Sequence, residues 1–156
     1  MKTSTGILRE NLNQVAKRLS VTLADEFVLY VKTLRAHWNI EGRDFYNQHL
    51  FFEVQYRELM EIIDAVAERI RAIGHYAPAS MSLFLQLTRL SETTEHYNDS
   101  GSIMKELLGD HDAIIMSLRS YTHDMASKLS DAGTDDFLTG LIEKHETMAW
   151  KLRSHL

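Results

Sequence analysis

His49, Glu53, Asp64 and Glu68 fall within one stretch of helical apolar spacing. On a helix at about 100° per residue, with His49 at zero, Glu53 falls at ~40°, Asp64 at ~60° and Glu68 at ~100°. The apolar stripe of the same stretch, Phe52, Tyr56, Leu59, Ile63, Val66, Ile70 and Ile73, is centred at ~290°. The imidazole and the three carboxylates therefore share a face turned away from the helix's own core. A di-iron centre inside a bundle needs inward carboxylates, usually with Glu-x-x-His pairs. The chain contains no Glu-x-x-His. His49 and Asp64 stand roughly 22 Å apart along the helix and cannot hold one ion within a single chain. Two antiparallel copies of the helix solve this. The pairs His49/Glu68 and Glu53/Asp64 share one midpoint, between Glu58 and Leu59. A two-fold axis there sets His49 opposite Glu68 of the partner subunit and Glu53 opposite Asp64 of the partner subunit, giving two equivalent sites. His37, in His37-Trp38-Asn39-Ile40-Glu41-Gly42, offers a second imidazole. Imidazole with carboxylates and open positions suits Fe(II), with Zn and Mn as alternatives.

The elements that must position these groups follow from periodicity. Leu12, Val15, Leu19, Leu23, Phe27, Tyr30 and Leu34 mark a first long helix, which Gly42 is expected to cap at its C-terminal end. Asp44 suits the start of the second helix, and Gly74 its end. Residues 75–101 hold the single proline, Pro78, and an apolar stretch from Met81 to Leu87, read as a crossover with a short helix inside it. Ile103, Leu107, Ile114, Leu118, Tyr121, Met125 and Leu129 mark a third long helix. Gly133 and Thr134 are expected to break the chain, and Asp135 and Asp136 to open a fourth, continued by Leu138, Leu141, His145, Met148 and Leu152. The fold class is all-α: a ferritin-like four-helix bundle with a short extra helix in the crossover between the second and third long helices. The 156 residues form a single domain, with residues 1–6 expected to be a flexible N-terminus.

Composition narrows the classes. Hydrophobic residues make up 44% and charged residues 25%, which excludes a disordered chain. Absent cysteine excludes disulfides, thiolate metal sites and a cysteine nucleophile. No apolar run is long enough to span a membrane, and the first residues lack a secretory pattern. The expectation is a cytoplasmic protein, with nucleoid association left open. A net charge of −5 argues against affinity for nucleic acid over the whole molecule.

Two motifs carry a family resemblance. The first is His37-Trp38-x-Ile40-x-Gly42 followed by Phe45, His49 and an acid at Glu53; the second is Ile63-Asp64-x-Val66-Ala67-Glu68-Arg69 with Ile73-Gly74 after it. With the helix plan and the C-terminal His145-Glu146-x-x-Ala149-Trp150, the chain resembles the DNA-binding proteins from starved cells, the Dps mini-ferritins, over almost its whole length. The resemblance implies a homo-dodecamer built from two-fold dimers. It implies Fe(II) and hydrogen peroxide or dioxygen as substrates, two irons per interface site, ferric mineral in the cavity, and no haem. It assigns His37, His49 and Glu53 to one subunit of each site, with Asp64 and Glu68 coming from the other. The family often carries Asp where this chain has Glu53, so ligation there is expected to be direct or through water.

Peroxide takes two electrons on becoming water, while one Fe(II) supplies one and releases hydroxyl radical. A site that pairs two irons avoids that radical. His37 and His49 would ligate as neutral imidazoles, so metal binding should weaken as pH falls. Trp38 reads either as a donor that quenches stray oxidants or as an aromatic anchor at the dimer contact. Arg69 reads as a carboxylate-orienting group or a solvated charge. By resemblance, Asp131, Asp135 and Asp136 line an acidic iron-entry channel; plain helix-start chemistry competes with that reading. Glu58 and Glu61 are weaker candidates for mineral nucleation. His75, His96, His111, His123 and His155 show no partner pattern. Residues 1–11 carry only Lys2 and Arg9 as basic groups, so direct DNA binding is doubtful. The rival reading is a nucleoid-binding DNA-protection protein whose metal sites are mainly structural. A conventional di-iron oxygenase or bacterioferritin-like protein comes third.

Overall fold

The computed structural model describes residues 4–92 and 98–156. Five helices follow one another: α1 Arg9–Asn39, α2 Phe45–Ala72, α3 Met81–Leu87, α4 Ser100–Met125 and α5 Ala132–Arg153. Among the described residues there is no strand. The four long helices are those that periodicity predicts, and α3 falls on the short apolar stretch of the crossover. α1 and α2 form an antiparallel hairpin, with Tyr30 against Tyr56 and His37 against His49. α4 and α5 form the second hairpin, and α3 lies on α1 through the stacked rings of Phe27 and Phe84.

One core joins all four long helices. It includes Leu19 and Leu23 of α1, Phe52, Leu59 and Ile70 of α2, Met104 and Leu118 of α4, and Leu138 and Leu152 of α5. Each such side chain contributes about 1.5–3 kcal/mol by leaving water. On α2 the buried row is Phe52, Gln55, Leu59, Ile62, Val66 and Ile70. Tyr56 and Ile63, expected in that stripe, are only half-buried, because they face the α1 seam and its open side.

The helix ends depart from expectation at two glycines. α1 stops at Asn39 with Ile40 in extended conformation as its cap, so Gly42 does not cap the helix. Gly42 instead turns the connecting loop at φ +125°, a conformation other residues rarely adopt. The loop is drawn away from the helix by Asn98, whose carbonyl accepts the Glu41 N–H at 3.3 Å. Gly133 and Thr134 do not break the chain either; both lie in the first turn of α5. The break is at Ser130, in left-handed conformation at φ +56°. Asp131 then caps α5, accepting from the Thr134 N–H at 2.9 Å and its hydroxyl at 2.6 Å. Gly74 behaves as expected: its N–H donates to the Arg71 carbonyl and the His75 N–H to that of Ile70, a Schellman closure. Asp44 occupies the cap position of α2, but its carboxylate takes the Asn47 side chain rather than a backbone N–H.

Two buried polar groups of α1 fasten the crossover. Asp25 accepts from the Arg89 backbone at 2.7 Å, the Thr88 hydroxyl at 2.9 Å and the Arg89 guanidinium. Lys32 donates to the Ser91 carbonyl at 3.0 Å and pairs with Glu106 and Asp110 of α4. The Arg69 side chain ties α2 to the start of α5 through Thr134 at 2.9 Å and Asp131 at 3.2 Å.

Candidate metal centre

The end of α1 and the first half of α2 bring His37 and His49 face to face, their rings stacked at 3.8 Å between centroids. Each ring donates from Nδ1 to the other residue's backbone carbonyl, both at 2.8 Å. His37 O is one of the last carbonyls of α1, which have no partner within the helix. The His49 ring supplies the missing donor. Carbonyls only accept, so both Nδ1 atoms carry hydrogen. In each neutral ring the lone pair is then at Nε2, the state a metal requires. Phe45 stacks on His49 at 5.1 Å, and Tyr56 meets His37 edge-on at 5.2 Å.

Glu53 lies one turn beyond His49 and is held by Arg57. One carboxylate oxygen accepts from Arg57 Nε at 3.0 Å and from its terminal nitrogen at 2.5 Å. That bond lowers the Glu53 pKa, with smaller help from the charge of Arg57 and the neighbouring imidazoles. Asp64 and Glu68 stand exposed further along α2. Asp64 borders a groove of about 670 Å³ lined by Phe27, Tyr30, Met60, Glu61, Ile63 and Ala67. One chain thus brings His37 and His49 together with Glu53 beside them, and leaves Asp64 and Glu68 apart. Among the described residues, no three His, Asp or Glu side chains converge on one point.

The exposed face of α2 carries more than candidate ligands. Tyr46, Leu50, Val54 and Met60 are 40–70% exposed. They fall at about 20–140° on the wheel used above, among Glu53, Asp64 and Glu68. Sequence reasoning followed the buried stripe and passed over these residues, although the same wheel shows them. Trp38, next to His37, is 68% exposed.

The remaining candidates separate by environment. Asp131 is buried, with its carboxylate engaged by Thr134 and Arg69. Asp135 is half-buried and Asp136 exposed. Glu61 is exposed at the groove and Glu58 half-buried. His75 bonds Asn13 at 2.8 Å, and His155 packs on Phe51. His96 lies outside the described residues.

The bundle interior holds a polar group that local spacing does not reveal. His145 Nε2 lies 2.9 Å from Glu26 Oε1, and its Nδ1 lies 3.0 Å from Nδ1 of His111. All three side chains are almost wholly buried. Burial, and then the neighbouring His145, push the His111 pKa well below the ordinary imidazole value. His145 uses opposite ring nitrogens for its two partners, so the three groups form a line rather than a convergent metal cage.

Comparison with known proteins fits this geometry. A family model for the ferritin-like domain matches residues 16–156, so fold and sequence together place the chain in the ferritin-like class. A DNA protection during starvation protein of Helicobacter pylori is 32% identical over 133 residues, covering 85% of this chain and 92% of that protein. The chain belongs to the Dps family of ferritin-like proteins. A low temperature-induced protein of Nostoc is 39% identical, covering 99% of this chain and 87% of its own length. The crystal structure of the Vibrio cholerae Dps protein, described as one of a broad superfamily of ferritin-like diiron-carboxylate proteins, superposes with a TM-score of 0.90. It is 27% identical and covers 98% of this chain and 95% of its own.

Proposed function

We propose that the protein is a ferroxidase and iron store that oxidises Fe(II) with hydrogen peroxide, or with dioxygen, at sites shared between two subunits. The observation that carries this reading is the paired imidazoles, both fixed with Nε2 lone pairs, beside an exposed α2 face bearing Glu53, Asp64 and Glu68. A two-fold dimer through that face supplies each site with His37, His49 and Glu53 from one subunit, and with Asp64 and Glu68 from the other. Tyr46, Leu50, Val54 and Met60 are the apolar contacts such a dimer needs, and Trp38 serves as an anchor at its rim. Asp64 and Glu68, as carboxylates, would hold two Fe(II) close together, so both electrons would go to one peroxide and hydroxyl radical would be avoided. Six such dimers would close a dodecameric shell that keeps the ferric product inside, with Asp135 and Asp136 as entry acids. Asp131 contributes there by capping α5.

Anaerobic Fe(II) loading of the purified assembly followed by peroxide tests the reading. The expected result is fast oxidation with two Fe(II) consumed per peroxide. Oxidation no faster than in a variant lacking both Asp64 and Glu68 would overturn it. DNA protection by this route needs no contact with DNA. Gel retardation at low and physiological salt separates it from the nucleoid-binding alternative, which predicts a retarded complex at both.

A further inference from the structure

We infer that the groove between the first half of α1, the segment after α2 and α3 binds a small amphipathic carboxylate. Lys17 would meet its head group and the apolar walls its tail. The inference stands apart from the iron chemistry. The groove encloses about 790 Å³, within the range of small-molecule sites, roughly 300–1,000 Å³. Its apolar walls are Ala16 and Val21 of α1, Ala77 and Pro78 of the segment after α2, and Leu83 and Leu87 of α3. Leu83 is exposed, and Val21 and Leu87 are half-buried, so these walls leave apolar surface in water. Covering that surface with an apolar chain is favourable.

Fastenings on both sides hold the groove open. His75 Nε2 lies 2.8 Å from Asn13 Oδ1, which ties the segment after α2 to α1. Arg71 donates to the His75 carbonyl at 2.8 Å, and its guanidinium lies 4.4 Å from the centre of the Tyr76 ring. Phe84 stacks on Phe27 at 4.5 Å and fixes α3 on α1. Between these fastenings the small side chains of Ala16, Ser20 and Ala77 make the concavity. The Ser20 hydroxyl turns back to the Ala16 carbonyl at 2.8 Å. A site set before its ligand arrives loses little freedom on binding. Charge then selects the head group. Among the described residues, no carboxylate lines the groove, and Lys17 has no ion-pair partner. A single ammonium beside an apolar slot suits one negative charge on an apolar chain. A cationic chain would be repelled, and a neutral one would leave the ammonium unanswered.

Calorimetric titration of octanoate into the purified assembly is the test. One saturable site per chain is expected, with a negative heat-capacity change as the tail is buried. Octanol and octylammonium are expected to bind more weakly than octanoate. Lys17→Glu is expected to weaken octanoate binding about five- to tenfold, and Lys17→Arg, which keeps the charge, to retain it. Ser20→Phe, which fills the groove, is expected to abolish it. Lys144→Glu, at an exposed position of α5, is expected to bind as the wild type does. Thermal melting shows whether each variant folds, and if Ser20→Phe does not, the two Lys17 variants decide. Several results would overturn the inference: no saturable binding to the wild-type assembly, equal affinity for octanol, or octanoate binding unchanged in Lys17→Glu. Retention on vesicles of anionic lipid without uptake of octanoate would overturn it too, and would assign the face to a membrane surface. Fe(II) oxidation is expected to be unchanged in Lys17→Glu, so either reading can fail while the other stands.

Discussion

On the proposed reading, the imidazole pair and the Glu53–Arg57 pair would behave oppositely toward an incoming metal. His37 and His49 are held in the ligating tautomer before any ion arrives, so little reorganisation is required. Replacing His37 or Asp64 with Ala is expected to slow Fe(II) oxidation by about tenfold or more, as second-shell losses alone cost 10–100-fold at other metal sites. Stopped-flow absorbance would measure this, and an unchanged rate in either variant would sink the assignment. Glu53, in contrast, is occupied by a cation of its own chain. Arg57→Gln is expected to free the carboxylate and raise the affinity for the second metal, read by calorimetry with Zn(II). Because the pair is exposed, the gain should be modest and should shrink in high salt. Tighter binding of the first ion alone would contradict it.

At the level of helices, the buried line of Glu26, His145 and His111 joins α1, α5 and α4. His111 is kept neutral in the fold, while an unfolded chain protonates it below the ordinary value of 6.5. Below that pH the unfolded state binds more protons, so stability should fall as pH drops from 6.5 toward the lowered folded value. Thermal melting between pH 7 and 5 is expected to show this slope, and His111→Leu to flatten it. A steeper slope in the variant would contradict the account. The start of α5 offers a second check. Asp131→Ala removes a cap, a loss of about 1–2 kcal/mol, or roughly a tenfold faster amide exchange at Thr134.

Helices of this length were legible because apolar residues repeat every three or four positions, from Leu12 to Leu23 and from Phe52 to Ile70. Gly74 was legible too, since a Schellman closure is local. Gly42 and Gly133 were misplaced for a physical reason. Glycine marks conformational freedom, but Asn98 decides where the α1 loop turns, and Asp131 with Arg69 decides where α5 starts. Those partners are distant in sequence. The same distance hides the His111–His145–Glu26 line. The candidate ligand face of α2 was visible because it lies on one helix, whereas the contact of Tyr56 with His37 needed the packed hairpin.

For the whole molecule, the proposed assembly through α2 has consequences for charge and surface chemistry. The chain carries −5, so a shell of twelve would carry about −60 before mineral enters. Such a particle would attract Fe(II) and repel nucleic acid, and on the proposed reading it would protect by chemistry rather than by coverage. Placing a charge on the apolar part of the α2 face, as in Val54→Glu, is expected to weaken the two-fold contact. Light scattering should then report smaller species and iron oxidation should slow with them. Slow oxidation in an intact assembly would instead mean that the face serves the site and not the contact.

The reciprocal hydrogen bonds of His37 and His49 make the two rings independent in one respect. Each ring is anchored by a main-chain oxygen, and every residue has one. Neither histidine owes its tautomer to the other's side chain. Loss of one imidazole would leave the hydrogen bond that sets the other ring's tautomer in place. The setting of each ring is thus a property of the main chain around it, and the two can be tested one at a time.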